Sequence, residues 1–103
     1  MLSGNKTMDQ KIKIQDRIIG ADQPPFIIAE MSANHQQSLN KALQIVDEAA
    51  RAGVGAIKLQ TYTADTITID VKGEEFMIRD PKSLWKDKPL YQLYQEAATP
   101  WEW

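Results

Sequence analysis

At 103 residues the chain has room for one domain and a modest core. Hydrophobic residues make up 43% and charged residues 25%, the balance of a soluble globular protein, and a formal net charge of −2 offers nucleic acid no basic footprint. No apolar run could span a membrane, and the absence of cysteine excludes disulfides and thiolate metal sites.

Residues 1–10 are polar, lack the apolar centre of a signal peptide, and read as a disordered tail, so a cytoplasmic location is expected. Lys11-Ile12-Lys13-Ile14 and Arg17-Ile18-Ile19 flank Gln15-Asp16 and predict a small β-hairpin over 11–20, although the turn has no glycine. Its apolar face needs a cover, and the N-terminal end of a following sheet is the natural one. Gly20 to Pro25 is a breaker. Phe26-Ile27-Ile28-Ala29-Glu30 then reads as a fully buried parallel strand with a carboxylate at its C-terminal end.

A helix is expected over 38–52. Ser38 is a fitting N-cap, Leu39, Ala42, Leu43, Val46, Ala49 and Ala50 form one apolar stripe, and Gly53 suits the left-handed position after the last turn. A second strand follows at Ala56-Ile57-Lys58-Leu59-Gln60-Thr61. Strand, helix and strand make a β-α-β unit that brings Glu30 and Lys58 to one rim, the rim where open parallel sheets and (β/α)8 barrels alike bind ligands. Beyond it, Thr66-Ile67-Thr68-Ile69 and Glu75-Phe76-Met77-Ile78 around Lys72-Gly73 predict a hairpin-like excursion above that rim. A short helix begins after Pro89, with Leu90, Leu93, Tyr94 and Ala97 on its apolar side. Thr99-Pro100-Trp101-Glu102 has the form of a capping box, with Thr99 as N-cap of a further helix, and predicts that the sequence is the opening part of a larger barrel.

Several of these residues could carry chemistry. Glu30 could cap a loop or pair with a cation, or could move a proton or hold a hydroxyl group. Lys58 interrupts an apolar strand and needs an anion: a substrate phosphate or carboxylate, or Glu30 itself, with a Schiff-base amine as a further role. Gln60, two positions on, shares its side and adds a donor and an acceptor. His35, the single histidine, reads more readily as a loop hydrogen-bonder than as a ligand, because one His without Cys cannot complete a metal site. The pairs Tyr91/Tyr94 and Trp101/Trp103 read as packing residues, and residues 31–37 contain no glycine, against a dinucleotide-binding loop.

Phe26-Ile27-Ile28-Ala29-Glu30-Met31-Ser32-Ala33-Asn34-His35, the helix after it and Gly55-Ala56-Ile57-Lys58-Leu59-Gln60-Thr61-Tyr62 together resemble the start of the sialic acid synthase family. Met31 to His35, Lys58 to Thr63, Leu90-Tyr91 and Thr99 to Trp103 are most similar to its pseudaminic acid branch. The resemblance implies that 11–103 is part of a (β/α)8 TIM barrel, a hairpin at 11–20 followed by the first β/α units at 26–103, usually with a small antifreeze-like domain after the barrel and a domain-swapped homodimer. It implies condensation of phosphoenolpyruvate with an open-chain amino sugar, a 2,4-diacetamido-trideoxy hexose in the pseudaminic branch, to a nine-carbon 2-keto acid. Phosphate leaves by C–O cleavage, and a divalent metal, manganese or magnesium, assists from ligands outside this chain. By matching position, Glu30 lies near the reacting centre, Lys58 binds phosphoenolpyruvate, Gln60 contacts the sugar, and Asn34, Thr61 and Tyr62 belong with the substrate-binding residues. Two departures fall in loops: Gln36-Gln37 where relatives often carry glycine, and Ala64 where proline is common. The chain alone is expected to be inactive. N-acetylneuraminate or legionaminic acid synthesis, a Schiff-base barrel aldolase working through Lys58, and a non-catalytic interaction remnant that self-associates are the alternatives.

Overall fold

The computed structural model describes residues 10–103, so the tail expected over 1–10 lies, apart from Gln10, outside the described residues. In chain order come β1 (Ile12–Ile14), β2 (Arg17–Ile19), β3 (Ile28–Glu30), α1 (Leu39–Arg51), β4 (Ala56–Lys58), α2 (Ala64–Ile67), a 3-10 turn (Glu74–Phe76) and α3 (Leu90–Ala97). The fold is mixed α/β. β1 and β2 pair antiparallel, Ile12 opposite Ile19, and β3 and β4 pair parallel, Ile28 opposite Ala56 and Glu30 opposite Lys58. Gln15, at φ 52°, supplies the left-handed residue the tight hairpin turn needs without a glycine.

The β-α-β unit forms as its sequence dictates. Ser38 is extended and its side chain accepts from the Lys41 amide, closing the N-terminal end of α1. At the other end Gly53, at φ 79°, donates to Ala50 O at 3.0 Å and Val54 donates to Ala49 O at 3.4 Å, the paired 5→2 and 6→1 bonds of a Schellman motif. A Cβ on Gly55 would stand 2.6 Å from Cε2 and 2.8 Å from Cζ of Phe26. The Phe26 ring also carries the Arg17 guanidinium at 5.3 Å, so Gly55 sits where the hairpin meets the sheet. Gly55→Ala is therefore expected to push the ring aside and cost about 1–3 kcal/mol, read as a lower urea midpoint at unchanged slope.

Four expectations need correction. The strand at 26–30 is not fully buried: β3 is three residues long, and Ile27 and Ile28 lie exposed, because α1 covers one face of a sheet of only two strands. The apolar stripe of α1 is wider than that sheet, so Ala42 is buried while Leu39, Leu43 and Val46 stay exposed. The hairpin touches the N-terminal end of the sheet through Arg17 on Phe26, but its apolar face is not covered there among the described residues: Ile12 is 61% exposed, with Ile14 and Ile18 also open. Thr63 to Asp87 holds no strand pair. Thr66 Oγ1 donates to Thr63 O at 2.7 Å and residues 64–67 wind into α2, Gly73 opens the 3-10 turn, and Met77 opposite Pro89 is an isolated bridge. Short Thr–Ile alternation gave way to local side-chain bonding and a cap.

Among the described residues what is buried is small: Met31, Ala42, Ala64 and Ala97, with His35 and Thr99. The extents, 62 × 38 × 27 Å, belong to an elongated assembly of short units rather than one closed core. No helix among the described residues is long and apolar enough to cross a membrane.

Candidate active site at the strand ends

Glu30 and Lys58 are the last residues of β3 and β4 and are register partners, so their side chains leave the sheet from one edge. Lys58 Nζ lies 3.3 Å from Glu30 Oε1. The side chains are 61% and 57% exposed, so the pair is a hydrated contact open to an incoming ligand rather than a sealed internal bridge. Ala29, one residue earlier, lines a groove of about 540 Å³ with Ile45 and Ala49 of α1. Leu59 likewise lines a hollow with Leu39, Ala42 and Leu43. The two-residue strand period therefore puts Glu30 and Lys58 on the face away from α1, and Gln60, expected on the same side, lies beyond the end of β4.

The other expected residues are placed elsewhere on the rim. Asn34 Nδ2 donates to Met31 O at 2.9 Å and lines the groove beside Ala29, on the α1 side. Thr61 is half-buried in the segment leading out of the strand. The Tyr62 ring meets the Tyr94 ring edge to face at 5.9 Å, and burial, then the neighbouring Tyr94 hydroxyl, raises its ionisation above the ordinary tyrosine value. Glu30 and Lys58 are thus brought together, whereas Gln60 follows two positions after Lys58, Asn34 lies on the α1 side and Tyr62 packs against Tyr94 of α3.

Thr99 has a role its motif did not announce. It is 2% exposed, its amide donates to Gln60 O at 2.8 Å, and its Oγ1 accepts from the Gln60 amide at 3.3 Å. The hydroxyl read as an N-cap is spent on the strand end, and residues 100–103 make one turn, with Trp103 N donating to Pro100 O at 3.3 Å. His35 is fully buried. Its Nδ1 accepts from the Gln37 amide at 3.0 Å and its ring meets Trp103 edge to face at 5.2 Å. Nε2 has no partner among the described residues. Among the described residues no three His, Asp or Glu side chains converge, Glu30 is turned to a cation and His35 is enclosed, so these residues do not fit a divalent ion.

Above the rim α2 is tied to α3. Tyr91 donates to Asp65 Oδ1 at 2.9 Å, and this bond, with burial and the charges of Asp65 and Asp70, raises the Tyr91 ionisation. A folded-state value above the unfolded 10.0 means that the contribution is whole below that pH and is lost as pH rises through the higher folded value. Asp65→Ala is expected to lower the Tyr91 ionisation toward the ordinary range, with burial and Asp70 left to act, followed by NMR titration of its ring carbons.

The NeuB family profile matches residues 45–103, more than half of the chain. The chain is 49% identical over 82 residues to the pseudaminic acid synthase of Campylobacter jejuni, covering 80% of this chain and 23% of that protein. It is 46% identical over 81 residues to the pseudaminic acid synthase of Helicobacter pylori, covering 79% and 23%. It is 34% identical over 95 residues to the spore coat polysaccharide biosynthesis protein SpsE of Bacillus subtilis, covering 88% and 23%. The chain thus spans 23% of the length of these relatives.

Proposed function

Because the chain belongs to the NeuB family, we propose that it supplies the first β/α units of a (β/α)8-barrel synthase joining phosphoenolpyruvate to an open-chain amino sugar. The observation that carries the reading is the 3.3 Å pair of Glu30 and Lys58 at the ends of adjacent parallel strands, on the face away from α1. Lys58 anchors the phosphate or carboxylate of phosphoenolpyruvate, a multiply charged anion that displaces Glu30 as its partner. Glu30, released, handles the proton as the enol carbon bonds to the sugar aldehyde and water adds at the neighbouring carbon. The C–O bond to phosphate then breaks, leaving inorganic phosphate and a nine-carbon 2-keto acid. Gln60 contacts the sugar from the Lys58 side, with Asn34, Thr61 and Tyr62 around it.

The names of the relatives favour a 2,4-diacetamido-trideoxy hexose as the sugar, with the N-acetylneuraminate and legionaminate precursors as the alternatives. In the whole enzyme, a cytoplasmic homodimer, a divalent manganese or magnesium ion is held by ligands this chain does not supply. The 103 residues alone are inactive. The test is phosphate release by the whole synthase carrying this sequence. Release from phosphoenolpyruvate only when sugar and metal are both present is expected, and release without sugar would reject the reading. Borohydride trapping of a pyruvate adduct on Lys58 would replace it with a Schiff-base aldolase.

A further inference from the structure

Residues 31–38 leave β3 through three successive turns: Asn34 N donates to Met31 O at 3.2 Å, Gln36 N to Ala33 O at 3.1 Å and Ser38 N to His35 O at 2.9 Å. Three residues of this loop hold left-handed backbone without being glycine, namely Ser32 (φ 51°), Gln36 (φ 52°) and Gln37 (φ 58°). An L-residue persists there where its surroundings over-determine it. For Gln37 the surroundings are specific. Its amide donates to His35 Nδ1, and its side-chain Nε2 donates to Glu96 O at 2.7 Å and to Ala98 O at 2.8 Å. Those carbonyls belong to the C-terminal turn of α3 and its cap, where helical partners have run out. Gln37 therefore caps a helix about 60 positions away with both hydrogens of one amide group.

The links close into a circuit. Met31 N donates to Lys58 O at 3.1 Å, fixing the start of the loop on β4; Gln37 fixes its end on α3; and Thr99, next after Ala98, returns to Gln60 through its amide and hydroxyl. Lys58, Asn34 and Gln60 all lie on this ring, and Glu30 precedes Met31.

We propose that Gln37 is a positioning residue that, by clamping the loop after β3 to the end of α3, sets the geometry of the Glu30–Lys58–Gln60 rim. Its consequence for ligand rests on the synthase reading; the clamp itself does not. The chemistry sets the variants. Gln37→Glu presents oxygen to two carbonyl oxygens and breaks the clamp, Gln37→Gly relaxes the backbone yet deletes the donor, and Gln37→Lys keeps a donor suited to a helix C-terminus.

Hydrogen–deuterium exchange on the wild-type protein and the three variants tests it. The amides of Thr99 and Gln60 are expected to exchange about tenfold faster in Gln37→Glu and Gln37→Gly, with those of Leu43 and Val46 unchanged and Gln37→Lys near wild type. Unchanged exchange at Thr99 in Gln37→Glu, or equal loss in Gln37→Lys, would overturn the clamp. Phosphoenolpyruvate is the binding probe: about tenfold weaker binding by Gln37→Glu, recovered by Gln37→Lys, is expected, and equal binding by all would overturn the positioning role. A wild-type protein that binds none would count against the synthase reading, and the exchange rates would still decide the clamp.

Discussion

Lys58→Ala is expected to lower phosphate release by the whole synthase by at least on the order of 10²–10³, while leaving thermal stability almost untouched. The two effects separate because of where the ammonium sits. At 61% exposure, facing a carboxylate that is 57% exposed, the pair contributes no more than about 1 kcal/mol to folding. In the proposed complex the same ammonium faces a multiply charged anion with water excluded, where the attraction is far stronger. Lys58→Arg should recover little, because a broad planar fork does not replace a compact ammonium on a flexible four-carbon stem. Glu30→Gln should lower turnover without weakening phosphoenolpyruvate binding, since it removes a proton carrier and frees Lys58 from its competitor. Steady-state kcat and KM for phosphoenolpyruvate, with a melting curve on each variant, check these expectations. Unchanged turnover in Lys58→Ala would remove the assignment.

Met31→Ala is expected to cause the largest loss of stability, about 2–5 kcal/mol, enough to abolish a cooperative transition in a fold this thin. Met31 is 2% exposed and shares a hollow with Leu39, Ala42, Leu43, Val46, Leu59 and Trp103, joining helix, strand end and chain end at one point. The other buried apolar residues, Ala42, Ala64 and Ala97, have little side chain to lose. Leu84→Ala is the control: at 94% exposure it should change the urea midpoint hardly at all. Equal losses from both substitutions would show that Met31 does not organise the core.

Elements governed by local rules were legible from sequence. The Ser38 cap, the Gly53 terminus and the length of α1 follow from side chains acting within a turn of themselves, and the Phe26 to Glu30 and Ala56 to Thr61 runs announced the parallel pair, of which only Ile28–Glu30 and Ala56–Lys58 are strand. Burial was not legible, because an apolar run records what a strand can be packed against, not what covers it; Ile28 carries the signature and stays exposed. The Thr63 to Asp87 segment misled for the opposite reason, as Thr66 found a carbonyl three residues back and the alternation became a helical turn. Thr99 followed its motif in composition only, its hydroxyl being taken by Gln60 across 39 positions. The site divides the same way. Glu30 and Lys58 are marked as charges in otherwise apolar strand runs, whereas nothing around Gln37 announces a donor reaching the last turn of a distant helix.

The parallel ladder of β3 and β4 ends, on both flanks, in backbone amides and carbonyls with no neighbouring strand among the described residues. Such borders act as templates for any extended segment that drifts alongside, a second molecule included. Handling of this polypeptide should accordingly follow its concentration: a dilution series by light scattering would be expected to trace a rising mean mass, with a lysine set into the border strand slowing the climb.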